Sequence, residues 1–372
     1  MISADRPLLA LGALLLGLGV VAAAPTTAPD AEWESVLPGL ELTYPRDHGA
    51  HAAHQTEWWY LTGNLEAADG RRFGYQFTIF RRGLTPEPLG EEAAPLRARA
   101  LYAGHLAITD ASASRTRFAE RLRRGAAPFV RASHEDLDLV LEDWSLVRRD
   151  DDSLRLVAAD PGAGIALELD LVPAKPLVLH GEAGWSRKGE EPGNASAYSS
   201  WTRLATRGSL RLDGAALEVE GASWFDHEFG SSVLEEGTLG WDWFGLQLDD
   251  GRELMAFHLR RVGGDLAAAS AGTLVEVDGT VRPLGHEDFT IEALDRWRSP
   301  RTRADYPSAW RITVPAHGVE LRLAPLVPDC ELVTGGSTGV VYWEGPVELS
   351  GTSTGRGYAE LTGYSGSMAG RF

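Results

Sequence analysis

The sequence predicts an all-β protein built from two similar β-domains in tandem. Runs of alternating apolar and polar residues recur along the chain, broken by Asp-Gly and acidic turns. Long helical periodicity is nearly absent. The stretch GWDWFGLQLDDGRELMAFHLR (240–260) also repeats the plan of an earlier hairpin: aromatic cluster, apolar strand, D-G turn and a return strand ending in arginine.

The earlier hairpin is EWWYLTGNLEAADGRRFGYQFTIFRR (57–82), turning at Asp69-Gly70. Its second strand puts Phe73, Tyr75, Phe77 and Ile79 on one face, and Gly74, Gln76, Thr78 and Phe80 on the other. LDLVLEDWSLVRRDDDSLRLVAAD (137–160) reads as strand, acidic turn, strand. GIALELDLVPAKPLVLHG (164–181) is a further alternating run, with Pro173 and Pro176 at its bend. GSLRLDGAALEVEG (208–221) reads as a short hairpin about Asp213-Gly214. Such spacing suits a barrel or a sandwich. The join between domains falls near residue 232, with SVLEEGTLG as the crossing, giving domains 25–232 and 233–372. The best helix candidate is HEDFTIEALDRWRSP (286–300).

Ahead of these lies MISADRPLLALGALLLGLGVVAAAPTTAPD. Arg6 precedes an apolar run from Leu8 to Val21, then alanines 22–24. This reads as a signal peptide over 1–24, cut near Ala23, and implies a periplasmic or secreted protein. An uncleaved anchor is the alternative, although the run is short for a membrane span. No cysteine follows it, so lipid attachment there is excluded.

With 44% apolar and 24% charged residues the chain is globular rather than disordered. A net charge of -18 argues against nucleic acid and anionic membrane surfaces as partners. The single cysteine, Cys330, rules out an intrachain disulfide and reads as a small buried hydrophobe. Oligomeric state is not legible.

His48, His51 and His54 invite a metal reading, but Gly49 and the following aromatics disfavour a helix that would align them. They read instead as an entry segment across a barrel mouth, hydrogen-bonded or wet. No metal is expected. GGSTG (335–339) fits G-x-S-x-G, yet a strand rather than a helix follows it, so Ser337 reads as part of a turn. Asn194 opens an N-A-S sequon, relevant only in a glycosylating host.

GASWFDHEFGSS is the most informative segment. Asp226, His227 and Glu228 are three consecutive titratable groups flanked by Trp224, Phe225 and Phe229, with Trp241, Asp242 and Trp243 beyond. On a strand Asp226 and Glu228 share one face and His227 takes the other. Burial among aromatics raises a carboxyl pKa, making a proton donor near neutral pH. Aromatic faces can hold a cation. That combination suits protonation of an alkene followed by water attack. The plainer reading is an ion-paired strand end, with Asp226 or Glu228 meeting Arg81 or Arg203.

YPRDHGAH, TEWWYLTGNL, LHGEAGWSRKG, SWFDHEFGSS, GWDWFGLQLDDGRELM, YWEGPVELSG and GYAELTGY, in that order, resemble the AttH-like, carotenoid 1,2-hydratase-like proteins, also labelled secreted hydrolases. The resemblance covers nearly all of the chain after about residue 40. It implies two tandem lipocalin-like antiparallel β-barrel domains, a ligand cleft near their junction, an apolar lipid or isoprenoid ligand and no organic cofactor. It also implies an association with ABC export systems.

Carried onto this chain, the resemblance places the acid and histidine among Asp226, His227 and Glu228, with Asp242 between the aromatic partners Trp241 and Trp243. Glu57, Trp58, Trp59 and Tyr60 would form another wall, beside Trp224. Two departures stand out: Ala52 follows His51 where the family often has proline, and ASAYSS leaves only Tyr198 of a tyrosine-rich run.

Three functions follow. One is a carotenoid 1,2-hydratase-like lyase or hydrolase adding water to an apolar unsaturated substrate. Another is a periplasmic lipid or isoprenoid carrier working with an ABC transporter. The last is an envelope protein with a vestigial cleft. The sequence leans toward the hydro-lyase without deciding whether the protein is an enzyme.

Overall fold

The computed structural model describes residues 32–86, 98–231, 234–235 and 237–368. The expected signal peptide lies outside them. The fold is all-β, as predicted, with two large antiparallel sheets of thirteen and ten strands.

The first sheet runs from edge strand Arg115–Arg124 through Ala100–Asp110, Arg72–Gly83 and Thr56–Ala67 to Ala215–Gly230. It continues through Ala195–Leu212, Ile165–Pro173, Leu154–Asp160, Trp144–Arg148 and Asp138–Leu141 to Val130–Ala132. Its first and last long strands pair with each other, so among the described residues the break in the circuit lies between Arg115–Arg124 and Val130–Ala132. Arg121 helps bridge that break, donating to the carbonyl oxygens of Leu141 at 3.3 Å and Ala159 at 3.0 Å. This sheet nearly closes into a barrel, while the second forms a half-barrel.

Alternation along each strand fills both interiors. Trp59, Leu61, Phe73, Tyr75, Phe77, Ile79 and Phe225 belong to the first core, and Phe244, Leu246, Trp310, Trp343, Val347 and Leu361 to the second. Burying such side chains is the main favourable term in folding. Cys330 is buried in the second core, as expected. The last strand of the first sheet ends at Gly230 and the first strand of the second begins at Thr238.

Three local expectations are corrected. Residues 286–300 form no helix; Thr290–Arg298 is a strand. Its Glu, Ala, Leu and Arg residues suit a helix, but its backbone pairs with Asp305–Val314, and Ile291 and Trp297 pack against the second core. Residues 137–148 are two strands rather than one, because Glu142 adopts φ +60° in a turn between them. The hairpin at Asp213-Gly214 is long, not short. Its arms are 18 and 16 residues, and positive φ at both turn positions fits a primed turn. Its second arm therefore carries Asp226 and Glu228.

The outer faces of the two sheets pack together. Asn64 Nδ2 donates to the Gly357 carbonyl oxygen at 3.1 Å, and Gln247 Nε2 donates to the Thr202 and Ser223 carbonyl oxygens at 2.8 and 2.9 Å. The two faces come close at Gly74: a Cβ there would lie 2.5 Å from Pro346 Cγ. Gly74→Val is expected to cost about 1–3 kcal/mol through overpacking. A urea midpoint unchanged from wild type would contradict this close packing.

Candidate active site

Strand alternation decides what reaches the space between the sheets. Trp58 and Tyr60 point there from Thr56–Ala67, Thr78 and Phe80 from Arg72–Gly83, and Tyr198 from Ala195–Leu212. The second sheet supplies Trp241, Trp243, Phe257 and Tyr342. Together they line a cavity of about 140 Å³.

Into this aromatic-rich hollow reach four carboxyls: Asp226 and Glu228 from the first sheet, Glu344 and Glu360 from the second. Asp226 is 3% exposed. It accepts hydrogen bonds from Tyr198 Oη at 2.8 Å, from Trp224 Nε1 at 2.6 Å and from Ser200 Oγ. These donors favour the carboxylate, but desolvation by burial outweighs them, with help from the nearby Glu228 charge. The Asp226 pKa is pushed up to about 7.

The network extends outward. Trp243 Nε1 donates to Tyr198 Oη at 3.0 Å, and His180 joins Ser200 Oγ at 2.7 Å to Thr273 Oγ1 at 2.9 Å. Burial pushes the His180 pKa down to about 3, so its ring is a neutral link. Glu228 accepts from Ser196 Oγ and pairs with Lys188 Nζ at 2.9 Å. The same ammonium lies 4.5 Å from the Phe257 ring centroid and 5.1 Å from that of Tyr198.

Glu344 and Glu360 stand opposite each other on neighbouring antiparallel strands. Burial raises both pKa values; the Glu360 charge adds to the effect on Glu344, and the Asp226 and Glu228 charges to that on Glu360. Glu344 and Tyr60 meet on the cavity side of the two sheets, both buried.

The structure brings together Asp226, Glu228, Trp58, Tyr60, Tyr198, Trp241 and Trp243 on the cavity wall. Trp224 stands behind Asp226 as its indole donor. Glu57, Trp59 and His227 are elsewhere, because their odd-numbered positions face the barrel interior. The expected cavity wall of four consecutive residues is thus two, Trp58 and Tyr60. His227 Nε2 meets Glu57 Oε1 at 2.9 Å, and its ring stacks on Trp59 with centroids 4.9 Å apart. Burial lowers the His227 pKa, while Glu57 opposes that shift.

Asp242 also faces away from the cavity. It accepts from Arg260 Nε at 2.9 Å and from Tyr364 Oη at 3.0 Å. The plainer expectation named the wrong cations: Arg81 is 3.9 Å from Glu57, Arg203 pairs with Glu253 at 2.6 Å, and Lys188 takes Glu228.

The histidine triplet disperses. His48 stacks on Trp201 with centroids 4.7 Å apart, His51 Nδ1 reaches Glu57 Oε1 at 2.8 Å, and His54 Nδ1 meets the Glu34 carbonyl oxygen at 2.8 Å. Ser337 approaches His105 Nε2 at 2.8 Å, but its hydroxyl donates to Glu120 and His105 Nδ1 meets Tyr342 Oη at 2.7 Å. That polarity does not activate the serine as a nucleophile.

Lys188, Glu344 and Glu360 were missed. The signal for the two glutamates is a lone acid inside an apolar strand, at Glu344 in VYWEGPV and Glu360 in GYAELT. Nothing local marks Lys188.

The AttH-like family pattern matches residues 35–364. A Nitrosomonas europaea protein provisionally called AttH is 34% identical, with 89% of this chain and 99% of that chain covered and a TM-score of 0.81. Kievitone hydratase from Nectria haematococca shares the fold at 15% identity, with 91% of this chain and 97% of that chain covered and a TM-score of 0.67. No curated protein matches the chain by sequence.

Proposed function

The chain belongs to the AttH-like family, and from that premise we propose that it is a cofactor-independent hydratase-type enzyme, adding water to a double bond of an apolar, isoprenoid-like substrate. One observation carries the reading: Asp226, with a pKa of about 7, lies on the wall of a cavity rich in aromatic side chains. A general acid works best when its pKa is near the working pH. The same fold houses kievitone hydratase.

In the forward reaction protonated Asp226 gives its proton to one alkene carbon, and the π pair forms the new C–H bond. The faces of Trp241, Trp243 and Tyr198 stabilise the resulting cation. Water, oriented by Glu228 and Lys188, forms the C–O bond. Its released proton returns to the acidic pair and restores Asp226. Dehydration is the same path reversed. A cavity of about 140 Å³ is similar to the roughly 150 Å³ engineered void that admits benzene, so it suits one isoprenoid unit or one ring.

The test is incubation with geraniol, prenylated phenols and unsaturated fatty acids in H2 18O. Supporting this reading would be a product gaining one labelled hydroxyl. Tight binding of these compounds without label would leave a carrier.

Tyr198→Phe removes a donor that favours the Asp226 carboxylate, so the Asp226 pKa rises further. Losing one hydrogen bond to a charged group is worth about 1.5–3 kcal/mol, or roughly one to two pH units. The limb where kcat falls with rising pH is expected to move upward by that amount. An unmoved limb would show that Tyr198 does not tune the acid.

A further inference from the structure

Water addition leaves Glu57 and His227 unused on the barrel side of strands whose other side lines the cavity. His51, delivered by the segment before the first strand, joins them. One ligand atom from each of His51, Glu57 and His227 lies within 4.8 Å of the others.

Each nitrogen of the two rings in this group faces an oxygen. His51 Nδ1 is 2.8 Å from Glu57 Oε1, and its Nε2 is 3.2 Å from Asp47 Oδ1. His227 Nε2 is 2.9 Å from the same Glu57 Oε1, and its Nδ1 is 3.1 Å from the Asp47 carbonyl oxygen. All four ring nitrogens therefore face carboxylate or carbonyl oxygens. Two neutral imidazoles carry only two N–H groups. With both directed at Asp47, two bare nitrogens confront one carboxylate oxygen. A cation held between those nitrogens and that oxygen would satisfy all three at once. The two ring centroids are 5.6 Å apart.

The surroundings match those of metal-bound histidines, which usually give their second N–H to a carboxylate or carbonyl. Asp47 supplies both acceptors. The His51 backbone N–H donates to Glu57 Oε2 at 2.9 Å and to Oε1 at 3.2 Å, and Oε1 also faces both rings. The side chains of Glu57 and His227 are 0% and 1% exposed and that of His51 15%, so solvent reaches the group from the His51 side. Arg81 is 3.9 Å from Glu57 but donates mainly to the carbonyl oxygens of His51, Ala52 and His54. Arg46 Nη2 pairs with Asp47 Oδ1 at 2.5 Å.

We infer that this end of the first barrel binds one divalent ion of the zinc class through His51 Nδ1, His227 Nε2 and Glu57 Oε1, with Asp47 orienting both rings. Imidazole and carboxylate ligands suit that class. The ion ties the 47–51 segment to strands Thr56–Ala67 and Ala215–Gly230. It thereby steadies, from behind, the strand that carries Asp226 and Glu228.

The test uses the full chain, stripped with EDTA and titrated with Zn2+ by calorimetry, with melting followed in parallel. One equivalent is expected to bind and to raise Tm. Asp47→Asn keeps all three ligands and should weaken binding about 10- to 100-fold. His51→Ala, at the most exposed ligand, should abolish it. Co2+ provides a second readout, a visible band from the mixed nitrogen and oxygen set that fades in Asp47→Asn, should His51→Ala not fold. Substoichiometric uptake with Tm unmoved by zinc or chelator overturns the inference, as does full uptake surviving both substitutions. None of these readouts depends on turnover, so failure of the hydratase proposal would be seen separately.

Discussion

Asp226→Asn is expected to lower turnover by about 10²- to 10⁴-fold, the usual contribution of a positioned acid, while the fold and the affinity for substrate stay near wild type. The substitution is almost isosteric. The asparagine carbonyl oxygen can still accept from Trp224 Nε1 and Ser200 Oγ. Its NH2 group would face Tyr198 Oη, a hydroxyl able to rotate and accept. What disappears is the transferable proton. Glu228→Gln keeps that proton and removes the anion beside Lys188, so a smaller loss of turnover is expected. Steady-state assays paired with ligand titration separate the two variants. If Asp226→Asn turns over within threefold of wild type, the acid is elsewhere, and the Glu344–Glu360 pair is the next place to look.

Stability is expected to fall as pH rises from 5 to 9, against the habit of proteins rich in salt bridges. Asp226, Glu344 and Glu360 all have raised pKa values, chiefly from burial. In the interval above their ordinary range the folded protein keeps protons that the unfolded chain has released. The folded state then binds more protons, so unfolding free energy declines with pH, by at most roughly 1.4 kcal/mol per unit for each group. For Asp226 the window runs from 3.8 to about 7. Glu344→Gln removes one titrating member of the opposed pair and should flatten the slope and raise Tm at pH 8. Carboxylates held low act in a different interval: Glu57, with a pKa of about 2 despite its burial because His227 and His51 bond to it, loses its contribution only below its ordinary value of 4.5. Melting curves at constant ionic strength test this. A Tm that is flat or rising between pH 5 and 8 in wild type would mean that these acids are solvated.

The sequence disclosed which residues share a face more reliably than which faces meet. Alternation placed Phe73, Tyr75, Phe77 and Ile79 together, and they share the first core. It also separated His227 from Asp226 and Glu228. The same period divides Glu57–Tyr60, with Trp58 and Tyr60 on the cavity and Glu57 and Trp59 on the barrel side. Lys188, Glu344 and Glu360 were hidden for another reason. Each comes to the cavity through strand pairing or sheet packing between distant segments, which local pattern does not fix. The strand at Thr290–Arg298 shows the reverse case, where helix-favouring residues yield to an available partner strand.

The strand Ala215–Gly230 is a party wall between two rooms of different chemistry, with positions 226 and 228 on the cavity and positions 225 and 227 on the barrel side. Deleting a single residue upstream would exchange their contents, so indels here should be far more damaging than point changes. Point changes at even positions can diversify ligand choice over evolutionary time without disturbing the barrel end. Such decoupling offers a simple physical route by which one scaffold acquires new substrates.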